Sequence, residues 1–227
     1  PYGPYGEAKR LDGKLFYAAK HVEDGENSYM VGWARRSEAM FSTTGVTDWA
    51  GNLAVQKIVQ KENGDLALAP VDSVAEGFTA RRALAVKKPE VLVKAEDSYA
   101  YTDVFTCYES FLIRGEFCYK REGMFGLSFD FDADPGLNKF IAVNPAEHKL
   151  QLWFNEGDTL ITETAAELQP GETYSFTYIQ EGSVGIFYID GVAALTVRLY
   201  GASGKPVQLF AKGNSVQFTS LEQYTRP

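Results

Sequence analysis

The chain has 227 residues, room for one large β domain or two small ones, and its 45% hydrophobic content is ordinary for a packed globular protein. Charged residues make up 23%, the net charge is -8, and Lys and Arg never cluster beyond a pair, which argues against a nucleic-acid partner. No run of about 18 apolar residues exists, so no membrane partner is expected either.

Short alternating runs, frequent Gly and 14% aromatics predict an antiparallel all-β protein, with no segment holding a 3.6-residue apolar period. The first predicted strands are Leu15–Val22, Tyr29–Ala34, Asn52–Val59 and Asp65–Ala69, enough for one small sheet. Between the last two, Asn63-Gly64 predicts a two-residue hairpin with positive φ at both central positions. From Pro70 to Pro89 the pattern weakens into a connector that carries at most a short helical turn.

A second series follows: Tyr108–Tyr119, Met124–Asp130, Lys139–Val143, Lys149–Phe154, Thr159–Thr164, Thr173–Gln180, Val184–Ile189, Ala193–Leu199, Val207–Ala211 and Ser215–Leu221. Phe111, Ile113, Phe117 and Tyr119 fall on one face, with Leu112, Arg114, Glu116 and Cys118 on the other. Ten such strands suit a two-sheet sandwich of jelly-roll or concanavalin-like form better than a closed barrel, which the sequence alone leaves open. The expected organisation is a β-meander over 1–72, a connector over 73–98 and a β-sandwich over 99–227.

Little in the chain points to chemistry. Cys107 and Cys118 read as two buried thiols, with a cross-strand disulfide as the alternative. His21 and His148 stand too far apart in sequence to suggest a shared acid–base or metal role. Asp130, Asp132 and Asp134 alternate as calcium ligands do, but Gly136 comes one place late for an EF-hand loop, so a solvated turn is expected and no metal or cofactor is assigned. Nucleophile-elbow, Walker, dinucleotide and zinc-protease motifs are absent, and no catalytic residue is assigned. Aromatic rings can stack on the C–H faces of sugars, and Trp153, Tyr178, Tyr188 and Tyr200 are the candidates on the sandwich.

The run from Ser183-Val-Gly-Ile-Phe-Tyr-Ile-Asp-Gly191 through Val197-Arg-Leu-Tyr200 and Leu209-Phe-Ala211 to Ser220-Leu-Glu222 resembles the closing strands of glycoside hydrolase family 32, the invertases, levanases and fructan β-fructosidases. Earlier, Phe16-Tyr-Ala18, Met30-Val-Gly-Trp33, Trp49-Ala-Gly-Asn-Leu53 and Asn63-Gly-Asp-Leu66 repeat the order in which that family's five-bladed propeller finishes. One departure is visible: where the family has a Leu-Pro-Arg-Glu-Leu-like strand, this chain reads Ala54-Val-Gln-Lys-Ile58.

The resemblance implies a propeller-blade-like meander followed by the family's sandwich, with Trp33 and Trp49 packing the blade or a domain seam. It implies a parent that cleaves fructosyl bonds with retention, using two carboxyl groups about 5 Å apart. Those two groups, and a third that stabilises the transition state, sit in an Asn-Asp-Pro-Asn-Gly, an Arg-Asp-Pro and a Glu-Cys, none of which occurs here: Asp134-Pro135 follows Ala133, and neither cysteine follows a Glu. The expected role is therefore a non-catalytic C-terminal portion, inactive alone, that braces a catalytic propeller. Its expected partners are that propeller or a second copy, together with an oligo- or polysaccharide. A free-standing carbohydrate-binding module and a structural or oligomerising sandwich are the alternatives. An exposed apolar face within residues 1–70 is expected of the first reading, and an exposed aromatic platform on one sheet of the second. The family's usual habitat points to the periplasm or the cell exterior.

Overall fold

The computed structural model describes residues 10–35, 51–129, 138–154, 159–200 and 203–227. Trp49 and the Asp130–Asp134 run lie outside them. The described chain is all-β and antiparallel. It opens with a four-stranded meander of β1 (Phe16–Glu23), β2 (Ser28–Arg35), β3 (Gly51–Gln60) and β4 (Leu66–Ala69), paired in that order.

Local chemistry fixes the turns. Between β1 and β2 the Asp24 carboxylate accepts the backbone N–H groups of Glu26 and Asn27 and the Tyr29 hydroxyl, which closes the loop around Gly25. The β3–β4 turn differs from the expected two-residue form. The Gly64 N–H donates to the Lys61 carbonyl, the Lys61 N–H donates to the Asp65 carbonyl, and of the Asn63-Gly64 pair only Gly64 has positive φ, at 85°. Asn63 acts through its side chain, accepting the Asp65 N–H at 3.0 Å.

The sandwich follows. A short helical turn, α1 (Asp72–Ala75), leads to β5 (Ala80–Arg82) and β6 (Val91–Lys94), then β7 (Tyr99–Thr106), β8 (Ser110–Tyr119), β9 (Phe125–Phe129), β10 (Lys139–Asn144), β11 (Lys149–Phe154) and β12 (Thr159–Ala165). After these come β13 (Thr173–Glu181), β14 (Val184–Ile189), β15 (Ala193–Arg198), β16 (Pro206–Lys212) and β17 (Ser215–Thr225). One sheet runs β12-β11-β10-β9-β16-β7, and the other runs β15-β14-β13-β8-β17, with β5 and β6 both paired to β17. Part of the 73–98 stretch, read as connector, thus supplies two short strands to a sandwich edge.

The core lies between the sheets. Phe111, Ile113, Phe117 and Tyr119 point inward from β8 as their alternation predicts, and Phe117 meets Phe125 of the facing sheet edge-on at 5.1 Å. Each such buried aromatic contributes about 1.5–3 kcal/mol, and each well-placed ring pair about 0.5–1.5 kcal/mol more. Tyr178 belongs to this core and not to a sugar-contacting surface: it is fully buried, its ring lies 5.5 Å from Phe129, and its hydroxyl donates to Gln180. Cys107 and Cys118 are free thiols, Cys107 buried with its pKa pushed up to about 12 by desolvation.

Candidate functional site

The meander is fastened to the sandwich by one of its two faces. Met30 and Ile58 pack with Leu68 against Tyr188 and Ala194 of β14 and β15. Around this apolar patch sits a buried polar network. Asp12 accepts four hydrogen bonds: one oxygen takes the N–H groups of Gly13 and Thr196 (2.5 and 2.8 Å), the other the Gln56 amide and the Thr196 hydroxyl (2.7 and 2.6 Å). Burial nevertheless pushes its carboxyl up to about 6, because desolvation outweighs these bonds.

Arg198 completes the seam from β15. It is 2% exposed, and its guanidinium donates to the Ala34 and Arg35 carbonyls, to Asn52 Oδ1 at 2.7 Å and to Ser183 Oγ at 2.7 Å. A planar fork of five donors suits this task, since two backbone carbonyls at the end of β2 and two side chains converge on it. These bonds tie the end of β2, the start of β3 and the β13–β14 turn to β15.

The opposite face of the meander is open. Tyr17 of β1 stands opposite Trp33 of β2, and Trp33 opposite Leu53 of β3, so the three side chains form one cross-strand row. They are 42%, 38% and 75% exposed. The Tyr17 and Trp33 rings pack at 6.3 Å, with the Arg35 guanidinium 5.3 Å from the Tyr17 ring. Val31 pairs with Val55 in the next row and prolongs the apolar strip. Beside it, a cleft of about 360 Å³ lies between β3 and the sandwich, lined by Leu53, Val55, Val74, Ile179 and Ile186, with the Arg226–Glu181 ion pair on its wall. β4 pairs with Lys57–Gln60, so among the described residues the Gly51–Gln56 stretch of β3 carries no strand on its cleft side.

The aromatic candidates separate. Trp153 is half-buried on β11, on the outer face of the six-stranded sheet. Tyr188 is not a sugar contact: 2% exposed, it is packed into the meander–sandwich seam. Tyr200 is half-buried, with the Arg198 and Lys139 cations each 6.0 Å from its ring. Lys139 is itself 3% exposed, and burial brings its pKa down to about 7. Trp33 faces away from the sandwich and serves the open row instead of the inner seam. Sequence reasoning missed Asp12, Gln56 and Thr196. Arg198 lay within the Val197-Arg-Leu-Tyr200 motif, but a lone Arg in a strand carries no sign of a partner 164 positions away.

No family model and no curated protein matches the sequence. Solved structures do match. Fructan 1-exohydrolase IIa from Cichorium intybus superposes with a TM-score of 0.67 over 96% of this chain and 49% of its own, at 14% identity. The chain shares its fold with family 32 glycoside hydrolases. The Bombyx mori GH32 β-fructofuranosidase gives 0.60 over 95% of this chain and 42% of its own, at 15% identity. The chain thus spans less than half the length of these enzymes. The carbohydrate-binding module CBM66 from Bacillus subtilis matches with a TM-score of 0.51 at 14% identity, over 61% of this chain and 96% of its own.

Proposed function

We propose that this chain is the C-terminal, non-catalytic portion of a family 32-like glycoside hydrolase acting on fructosyl or related glycans, and that it braces a catalytic propeller. The observation that carries this reading is the open Tyr17–Trp33–Leu53 row. A meander that needed only to sit on the sandwich would have one apolar face, and this one has two. The second face is where the neighbouring blade docks, and the buried Asp12–Thr196 link together with the Arg198–Asn52 bond holds the blade on its sandwich. By the habit of such enzymes, the proposed location is the periplasm or the cell exterior.

The mass of the native gene product tests this. A product about twice the 25.1 kDa of this chain, active on fructans only at full length, supports it. A native product of this chain's own mass overturns it, and favours the second reading, a free-standing carbohydrate-binding module. The specific support for that second reading is the near-complete coverage of CBM66.

A further inference from the structure

The six-stranded sheet turns one face to the core and the other away from it. The meander packs on β14 and β15, which belong to the other sheet. Across the outward face, register aligns Phe210, Gly126, Ala142, Gln151 and Glu163 in one row, with Ser128, Phe140 and Trp153 in the next. Gly126 and Ala142 leave the middle of the first row low. Tyr99 and Trp153 rise on either side of that floor, with Phe140 and Phe210 between them. Tyr99 and Tyr101 are stacked 5.9 Å apart, 6° from parallel, and both are only half-buried.

The polar part beside Trp153 is fully organised by one side chain. Gln151 is completely buried. Its oxygen accepts the Trp153 indole N–H at 2.9 Å and the Asn144 amide at 3.1 Å, and its nitrogen donates to Glu147 at 2.8 Å and Glu163 at 3.0 Å. The indole donor dictates which way the amide points. Gln151 therefore fixes the Trp153 ring through its edge, while the half-buried ring packs against Phe140 and its neighbours and keeps part of its surface toward solvent, and Gln151 draws two carboxylates together at its own NH2 group. Glu147 is exposed and Glu163 half-buried, so both keep acceptor capacity toward solvent. Lys149, 3.6 Å from Glu163, offsets only one of the two charges. Ser128, next to Phe140 on the same face, has its hydroxyl buried and without a hydrogen-bond partner among the described residues.

We propose that this outer face is a binding platform for a neutral oligosaccharide. Trp153 stacks on the C–H face of one sugar ring, Glu147 and Glu163 accept hydroxyls of that ring, and the Tyr99–Tyr101 stack carries the next. Held acceptors beside a locked aromatic face match a diol that lies over a C–H surface. The residual negative charge at Glu147 and Glu163 repels uronic or phosphorylated sugars. The site is independent of the docking row, which lies on the meander and faces away from the sandwich.

The 227-residue chain should be titrated with 1-kestose, neutral gluco- and manno-oligosaccharides and an oligouronate, reading Trp fluorescence and heat. At least one neutral series should bind and perturb the fluorescence, and the oligouronate should not. Trp153→Ala and Glu163→Gln should each weaken binding at least about tenfold. Glu147→Gln, at an exposed position that does not threaten folding, should weaken it severalfold. Leu53→Glu, on the docking row, should leave it unchanged, which separates failure here from failure of the bracing role. No binding by any neutral series, or binding that survives in both folded Glu147→Gln and Trp153→Ala chains, would overturn the platform.

Discussion

At the scale of single residues, Asp12 makes the stability of the chain depend on pH in an unusual direction. Asp24 and Glu222 are held low, Glu222 by its hydrogen bond to Arg114, and such groups lose their contribution as pH falls. Asp12 is pushed the other way, from 3.8 to about 6, by burial. Between these values the folded chain keeps a proton that the unfolded chain has released, so this contribution is present at low pH and is lost as pH rises through about 4 to 6. Two pKa units correspond to about 3 kcal/mol. Urea unfolding of the wild type and Asp12→Asn at pH 4 and pH 7 should show the wild type losing about that much relative to the variant, with other carboxylates cancelling in the difference. Parallel pH dependences in the two chains would refute it.

At the scale of elements, what was legible depended on whether a strand's character was its own. β8 reads from its alternation, because Phe111, Ile113 and Phe117 face the core while Arg114 and Glu116 on the other side do not. β5 and β6, three and four residues long, exist because β17 offers an edge, and no local pattern announces that. β7 carries no strand signal of its own, because tyrosines line its outward side and Asp103 interrupts its run. Of the candidate site, Trp153 was legible as an aromatic in a strand, whereas the Gln151 network that orients it needs the β10–β11–β12 register to be seen. β17 itself bends at a bulge between Thr219 and Glu222, with Ser220 at φ 53°, and Leu221 swings over Gly115 of β8. A Cβ at Gly115 would sit 2.7 Å from Leu221 Cδ2 and 3.0 Å from the Thr219 carbonyl. The leucine can shift but the bulged backbone cannot, so Gly115→Ala should cost about 1–3 kcal/mol by overpacking. A lower urea midpoint at unchanged slope would record it, and an unchanged midpoint would contradict the crowding.

At the scale of the whole molecule, the chain has one face more than it uses. A lone exposed leucine means nothing in a folded protein, but Leu53 at 75% exposure continues a row with Trp33 and Tyr17 and borders an apolar cleft. In this chain alone Leu53 is 75% exposed, so Leu53→Glu should keep its unfolding stability within about 0.5 kcal/mol of wild type. In the product of the full gene the same change places a carboxylate where a neighbouring blade packs. It should then cost at least the burial of a leucine side chain, about 1.5–3 kcal/mol, and more if the charge stays desolvated. The diagnostic quantity is the difference between the two contexts, measured by urea unfolding. A large loss in the long form with none in the short form places the partner on this face. Equal small losses in both would mean that the row is ordinary surface and that the blade meets its neighbour elsewhere.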